Sequence, residues 1–223
     1  MAMEEATALG AKTGPQGYIH HKTAEKYQGF LIHVLRTYTS MVPFLKGLHL
    51  TLESWRPDWD KDGWRVSNTL DPRLEYATKR KAPQFVKVVP HFKGDMETLV
   101  KLTCHRVPPF IKAWPTSHAA AFLVGDALGA GFVSTLWEQG DDKFDATYGG
   151  WTVDLLEALS NKREAYNLLL SIEAGVASGK LQPGTELFVF TDNMVSKRCF
   201  HSGRSRSAAM HALIVKMHDL VMK

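Results

Sequence analysis

The sequence predicts a mixed α/β domain behind a helical region, and three observations point that way. Short apolar runs of strand length, bounded by Gly and Asp, cluster after residue 117. A long helical stripe separates the third run from the fourth, and before residue 70 the apolar residues recur at helical spacing. Strands first, then helix, strand and helix, is the alternation of a sheet with helices packed on it. At 223 residues the chain can bury a full core, either as one large domain or as a compact domain with an appendage. Fractions of 44% hydrophobic and 22% charged residues are those of ordinary globular proteins and exclude wholesale disorder.

Residues 1–22, with Gly10, Gly14, Pro15 and Gly17 and no periodicity, read as a loose leader. From Thr23, a candidate N-cap, the residues Tyr27, Phe30, Leu31, Val34, Leu35 and Tyr38 predict an amphipathic helix. After Ser40, with Pro43 tolerated in a first turn, Met41, Phe44, Leu45, Leu48 and Leu52 repeat the pattern, so 23–70 reads as a helical hairpin and its trailing loop. That loop carries Trp55, Trp59 and Trp64 beside Arg56 and Arg65. Such tryptophans either stack on bases or pin a loop to a neighbouring domain, and the second role is the commoner. Residues 71–116 read as a linker, extended and charged around Pro72, Lys79–Lys81 and Pro83, with a short helix from Met96 to Cys104 and a boundary near 116 after Pro108, Pro109 and Pro115.

Residues 117–223 change character. Ala119–Asp126, Gly131–Trp137 and Phe144–Tyr148 read as a three-stranded meander, with Gly149 and Gly150 breaking the sheet. Residues 152–158 fit a short helix and a loop equally. Ala165, Leu168, Leu169, Ile172 and Val176 stripe a helix from Asn161 to about Ser178, and Glu186–Thr191 is the fourth strand. A second helix starts behind Asp192, kinks near Gly203 and resumes after Ser207 with Met210, Leu213, Ile214, Met217 and Val221 on one face. The order is β-β-β-α-β-α.

Asp126 and Asp192 each end an apolar run, in AAFLVGD and ELFVFTD, and central strands of this kind open at their carboxyl ends onto a shared crevice. Glu164 precedes Leu168 by four residues and Ile172 by eight, so the helix repeat turns it towards the sheet. Carboxylates that converge without basic partners repel one another unless divalent cations lie between them, and two-metal phosphodiester cleavage needs such a set. Each residue has a plainer reading as well. Asp126 suits a turn cap, Asn161 with Glu164 suits an N-capping pair, and Asp192 with Asn193 is ordinary turn chemistry.

FLVGDALGAGFVSTLW, SNKREAYNLLLSIE and GTELFVFTDNMVSKRCFHSGRSRS, in that order, resemble the ribonuclease H domain of a retroelement reverse transcriptase, closest to tyrosine-recombinase (DIRS-like) elements. GFLIHVLRTYTSMVPFLKGLHLTLESWRPDWDKDGWR is similar to the segment joining polymerase to ribonuclease H in the same polyproteins, so the likeness covers residues 17–223, loosely between 70 and 116. It implies a ribonuclease H-like mixed sheet behind a helical connection region. It also implies Mg²⁺- or Mn²⁺-dependent hydrolysis of the RNA strand of an RNA–DNA hybrid, with Asp126, Glu164 and Asp192 as ligands of a two-metal site. The same family carries a further strand and a closing helix, with a fourth acidic ligand and in many members a histidine. Here the sequence ends at Lys223, and Asp219 lies inside the last helical pattern, so the domain reads as a polyprotein fragment whose activity is open. The polymerase domain of the same polyprotein is an expected partner.

From Asn193 to His218 there are five basic residues, Lys197, Arg198, Arg204, Arg206 and Lys216, and no acid. Behind a metal site such a run suits a phosphate backbone, with Asn193 donating to a sugar hydroxyl or phosphate; a solvated helix surface is the rival reading. His201, His211 and His218 lack ligand partners at metal spacing and read as surface or satisfied core histidines. Net charge is +4, but residues 1–116 hold 17 Lys and Arg against 11 Asp and Glu while 117–223 hold 10 against 12, so phosphate-neutralising surface is expected mainly outside the carboxylate domain. Cys104 and Cys199 are too few and too distant for a disulfide framework, which points to a reducing compartment, cytoplasmic or nuclear. Two glutamates and no apolar core in the first dozen residues exclude a secretory signal. Asp126 and three glycines interrupt the longest apolar stretch, so no membrane span is expected. Two rival functions remain: a non-catalytic nucleic-acid-binding or interaction module, and a small-molecule enzyme using GDALGAG as a phosphate loop, which is weak because that segment joins two strands.

Overall fold

The computed structural model describes residues 17–56, 59–60, 62–64, 81–104 and 119–222. The expected boundary near 116, the prolines at 72, 108, 109 and 115, Lys79, Arg80 and Arg65 lie outside those residues. The chain divides into two compact units, the first carrying the elements from Tyr18 to Thr103, the second those from Ala120 to Ser202 and the body of the last helix from Ala209.

In the first unit, strand β1 (Tyr18–His20) pairs antiparallel with β2 (Phe85–Lys87), and α1 (His21–Leu35) follows β1 directly. Residues 18–20 therefore leave the expected leader, and α1 starts two residues ahead of Thr23, with His20 at its N-cap position. Three residues are too few to show an alternation, and their pairing partners are Phe85–Lys87, far along the chain, so no local signal marks them. A 3₁₀ helix (Thr39–Leu45) accommodates Pro43 and runs into α2 (Lys46–Glu53); α3 spans Pro90–Thr103 with its proline in the first turn. The expected stripe holds: Met41, Phe44, Leu45, Leu48 and Leu52 are all buried. Leu50 is buried as well, because α2 packs against α1, β2 and α3. Gly47 allows the α2–α3 approach, since a Cβ there would sit 2.6 Å from the Phe92 Cα. At that crossing the Gly47 N–H donates to Asp95 Oδ2 at 2.6 Å, while burial pushes the Asp95 carboxyl up to about 7. Trp64 is buried within its own unit, beneath Lys46 and edge-on to His91, so it pins its loop rather than offering a stacking face.

The second unit is built on a four-stranded mixed sheet in the order β5-β4-β3-β6: β3 (Ala120–Ala127), β4 (Gly131–Glu138), β5 (Asp145–Gly150) and β6 (Glu186–Phe190). Central β3 is antiparallel to β4 and parallel to β6. Chain order is that expected, with the short helix α4 (Val153–Leu156) settling the open stretch, followed by α5 (Ser160–Ala177), α6 (Met194–Ser202) and α7 (Ala208–Val221). Gly203, at φ 61°, ends α6 in the left-handed conformation and makes the expected break. Ala121, Leu123 and Leu136 form one core with Leu168, Leu169 and Ile172 of α5 and Met210, Leu213, Ile214 and Met217 of α7. Each of the leucine, isoleucine and methionine side chains among them contributes about 1.5–3 kcal/mol through burial. On the opposite sheet face Phe122 stacks between Trp137 and Phe188, and Val124 and Phe190 are exposed.

Three expectations need correction. Gly149 and Gly150 do not break the sheet but pair with Phe132 and Gly131 as the end of β5. A Cβ on Gly131 would lie 2.5 Å from the Gly149 carbonyl oxygen, so glycine here serves a close strand approach. Val176 is exposed and Gly175 takes the buried place, where a Cβ would meet Leu136 Cδ2 at 2.7 Å. Val221 is exposed in the last turn of α7.

Candidate functional site

Asp126 is the penultimate residue of β3, Glu164 lies one turn into α5, and Asp192 stands two residues beyond β6. Because β3 and β6 are parallel neighbours, both aspartates come to the same end of the sheet. Both are exposed, whereas Glu164 is only 6% exposed. Burial, and then the negative charges of Asp126 and Asp192, hold the Glu164 carboxyl above its usual range; the Ala127 N–H and Arg163 pull it back down. The three carboxyls thus share one electrostatic neighbourhood. Glu164 Oε2 is buried with no hydrogen-bond partner, a costly arrangement for a carboxylate.

The plainer readings of Glu164 and Asp192 fare differently from the chemical ones. Leu159, not Asn161, occupies the N-cap position of α5, and Asn161 Oδ1 instead accepts from Asn193 Nδ2 at 2.9 Å. Asn193 caps α6, its Oδ1 accepting from the Ser196 N–H at 2.8 Å, and Ser196 Oγ donates to the Asn161 carbonyl. This polar staple ties the first turn of α5 to the start of α6, so it fixes Glu164 and Asp192 on either side of it. Asn193 thereby uses its side chain as a cap. Lys197 and Arg198 are exposed on α6, and Arg204 and Arg206 on the step to α7. His201 is exposed, while buried His218 places Nε2 2.9 Å from the Phe200 carbonyl oxygen and stacks on the Phe200 ring.

Asn167 was not expected at the site. Fully buried and one turn along α5 from Glu164, it donates through Nδ2 to the carbonyl oxygens of Asp126 and Val133, both at 3.0 Å. Ser171 Oγ donates to the Asn167 carbonyl and hydrogen-bonds Ser134. Asn167 therefore clamps the end of β3 beside Asp126. Gly125 makes the approach possible, because a Cβ there would lie 3.0 Å from Asn167 Nδ2. The sequence signal is a pair of polar residues four apart, Asn167 and Ser171, embedded in an apolar stripe immediately after Glu164.

Among the described residues, no group of three or more His, Cys, Asp or Glu side chains is spaced to hold a metal ion. The donor set nonetheless suits hard divalent cations, being carboxylate oxygen with one buried oxygen left unbonded. Also among the described residues, no helix is long and apolar enough to cross a membrane.

No family model and no curated protein matches the chain. Among solved structures, the foamy viral protease-reverse transcriptase dRH in complex with double-stranded DNA aligns with 96% of this chain and 32% of its own, at 10% identity and a TM-score of 0.34. The chain thus spans about a third of that protein, and a likeness so slight carries no argument about fold or function.

Proposed function

We propose that the second unit is a ribonuclease H-like domain of a retroelement reverse transcriptase, DIRS-like in its motifs, and that it hydrolyses the RNA strand of RNA–DNA hybrids. The observation that carries this reading is Glu164: a buried carboxyl with an unbonded oxygen, raised in pKa first by burial and then by the charges of Asp126 and Asp192, which stand at the same end of two neighbouring parallel strands. Asp126, Glu164 and Asp192 would together hold Mg²⁺ or Mn²⁺. When bound, such ions would lower the pKa of a water so that it can lose its proton and serve as the nucleophile at neutral pH, and would supply a counter-charge for the departing oxygen. Asn167 holds the Asp126 backbone, and the Asn161–Asn193–Ser196 staple holds the other two carboxyls in register. Lys197, Arg198, Arg204 and Arg206 offer phosphate contacts that read backbone shape and 2′-hydroxyls rather than sequence.

A non-catalytic nucleic-acid-binding module is the second reading. It is favoured by the absence, among the described residues, of three donors at ion-holding spacing. Incubating the protein with a labelled hybrid and Mg²⁺, beside an Asp192→Asn variant, separates the two. Metal-dependent cleavage that drops at least a hundredfold in the variant supports hydrolysis; binding without cleavage in either protein supports the module.

A further inference from the structure

Helix α1 turns Ala24, Leu31 and Leu35 inward, and its opposite side carries Lys22, Lys26, Gly29 and His33, continued by Arg36 at the C-cap, all exposed. At 100° per residue these five fall within one narrow stripe, spaced i, i+4, i+7, i+11 and i+14. Among the described residues no ion pair engages the Lys22, Lys26 or Arg36 side chains. One acid, Glu25, borders the stripe between Lys22 and Gly29, and its carboxylate lies 3.5 Å from His21. Gly29 sits at the middle of the stripe, and a Cβ built on it meets nothing within 4 Å. Mid-helix glycine weakens a helix relative to alanine, and neither packing nor a positive φ within the unit accounts for it here.

We propose that this face of α1 tracks the sugar–phosphate backbone of a nucleic acid, with Lys22, Lys26 and Arg36 on the phosphates and Gly29 letting the strand come against the helix main chain. The stripe runs about 21 Å, the axial rise of about six base pairs. Charge complementarity selects a polyanion. A membrane surface is disfavoured because an interfacial helix must offer its apolar face, and that of α1 is packed inside its own unit. The choice of an RNA–DNA hybrid as partner rests on the function proposed above; the phosphate contacts do not depend on the carboxylates.

The test is hybrid binding by fluorescence anisotropy in EDTA, across a salt series. Against wild type, the Lys22→Gln/Lys26→Gln/Arg36→Gln variant should bind about tenfold or more weakly at moderate salt, with the slope of log K on log salt shallower by about two to three. Gly29→Leu should keep or raise Tm and yet bind several-fold more weakly, a combination that a merely structural glycine does not give. An unchanged salt slope in the triple variant overturns the proposal, as does wild-type protein that binds phosphatidylserine vesicles but not the hybrid. A protein that binds with the expected slopes but never cleaves leaves this surface standing and removes the hydrolytic reading; cleavage with unchanged slopes does the reverse.

Discussion

Ionising Glu164 places a charge at a buried position beside two other carboxylates, so its folded-state pKa lies above the unfolded one. The folded protein holds that proton to higher pH, and the stability associated with it is present in acid and lost as pH rises above the ordinary carboxyl range. In chelator at neutral pH, Glu164→Gln should therefore melt above wild type, each kcal/mol gained appearing as about 2–4 °C, and the gap should close below about pH 4. Adding Mg²⁺ should raise the Tm of wild type and leave that of the variant unmoved, as thermal melts would show. Asp95 gives a second pH dependence in the other unit. With its pKa raised from 3.8 to about 7, it lowers stability between about pH 4 and pH 7, by a few kcal/mol at most. Asp95→Asn, which keeps an acceptor for the Gly47 N–H, should flatten that slope in denaturant titrations run at several pH values.

At the scale of elements, periodicity made the helices and strands legible, because α1, α2, α5 and α7 bury one stripe and β3 alternates cleanly against its core. What stayed hidden was contact chemistry. Gly149 and Gly150 read as a break because local propensity opposes glycine in strands, whereas their use lies in the close approach of Gly131 and the Phe132 ring. Asn161 with Glu164 matched a capping pattern by spacing, yet its partner Asn193 is 32 residues away and no local pattern encodes it. Asp126 and Asp192 were readable as strand ends; Asn167, which fixes one of those ends, was not. Two substitutions weigh these contacts. Asn167→Ala leaves the Asp126 and Val133 carbonyls without their donor and should destabilise by about 2 kcal/mol, while Gly175→Ala, pressed on Leu136 and Leu181, should lose about 1–3 kcal/mol, both measurable by urea unfolding.

For the whole molecule, the proposed carboxylate chemistry and the proposed phosphate contacts fall in different units. Asp126, Glu164 and Asp192 lie in the second, which holds fewer basic than acidic residues, and the basic stripe of α1 lies in the first, where basic residues exceed acids by six over positions 1–116. That separation lets binding and chemistry fail independently, and it is why binding alone says little about the site. The proposed chemistry requires that Asp126, Glu164 and Asp192 form one cation site. Titrating Mn²⁺ into ¹³C-labelled protein while recording side-chain carboxyl resonances tests it most directly. Paramagnetic broadening should centre on those three carboxyls at the lowest Mn²⁺ concentrations and be abolished by Glu164→Gln. Broadening that leaves them sharp, or that falls first on other surface acids, would contradict it.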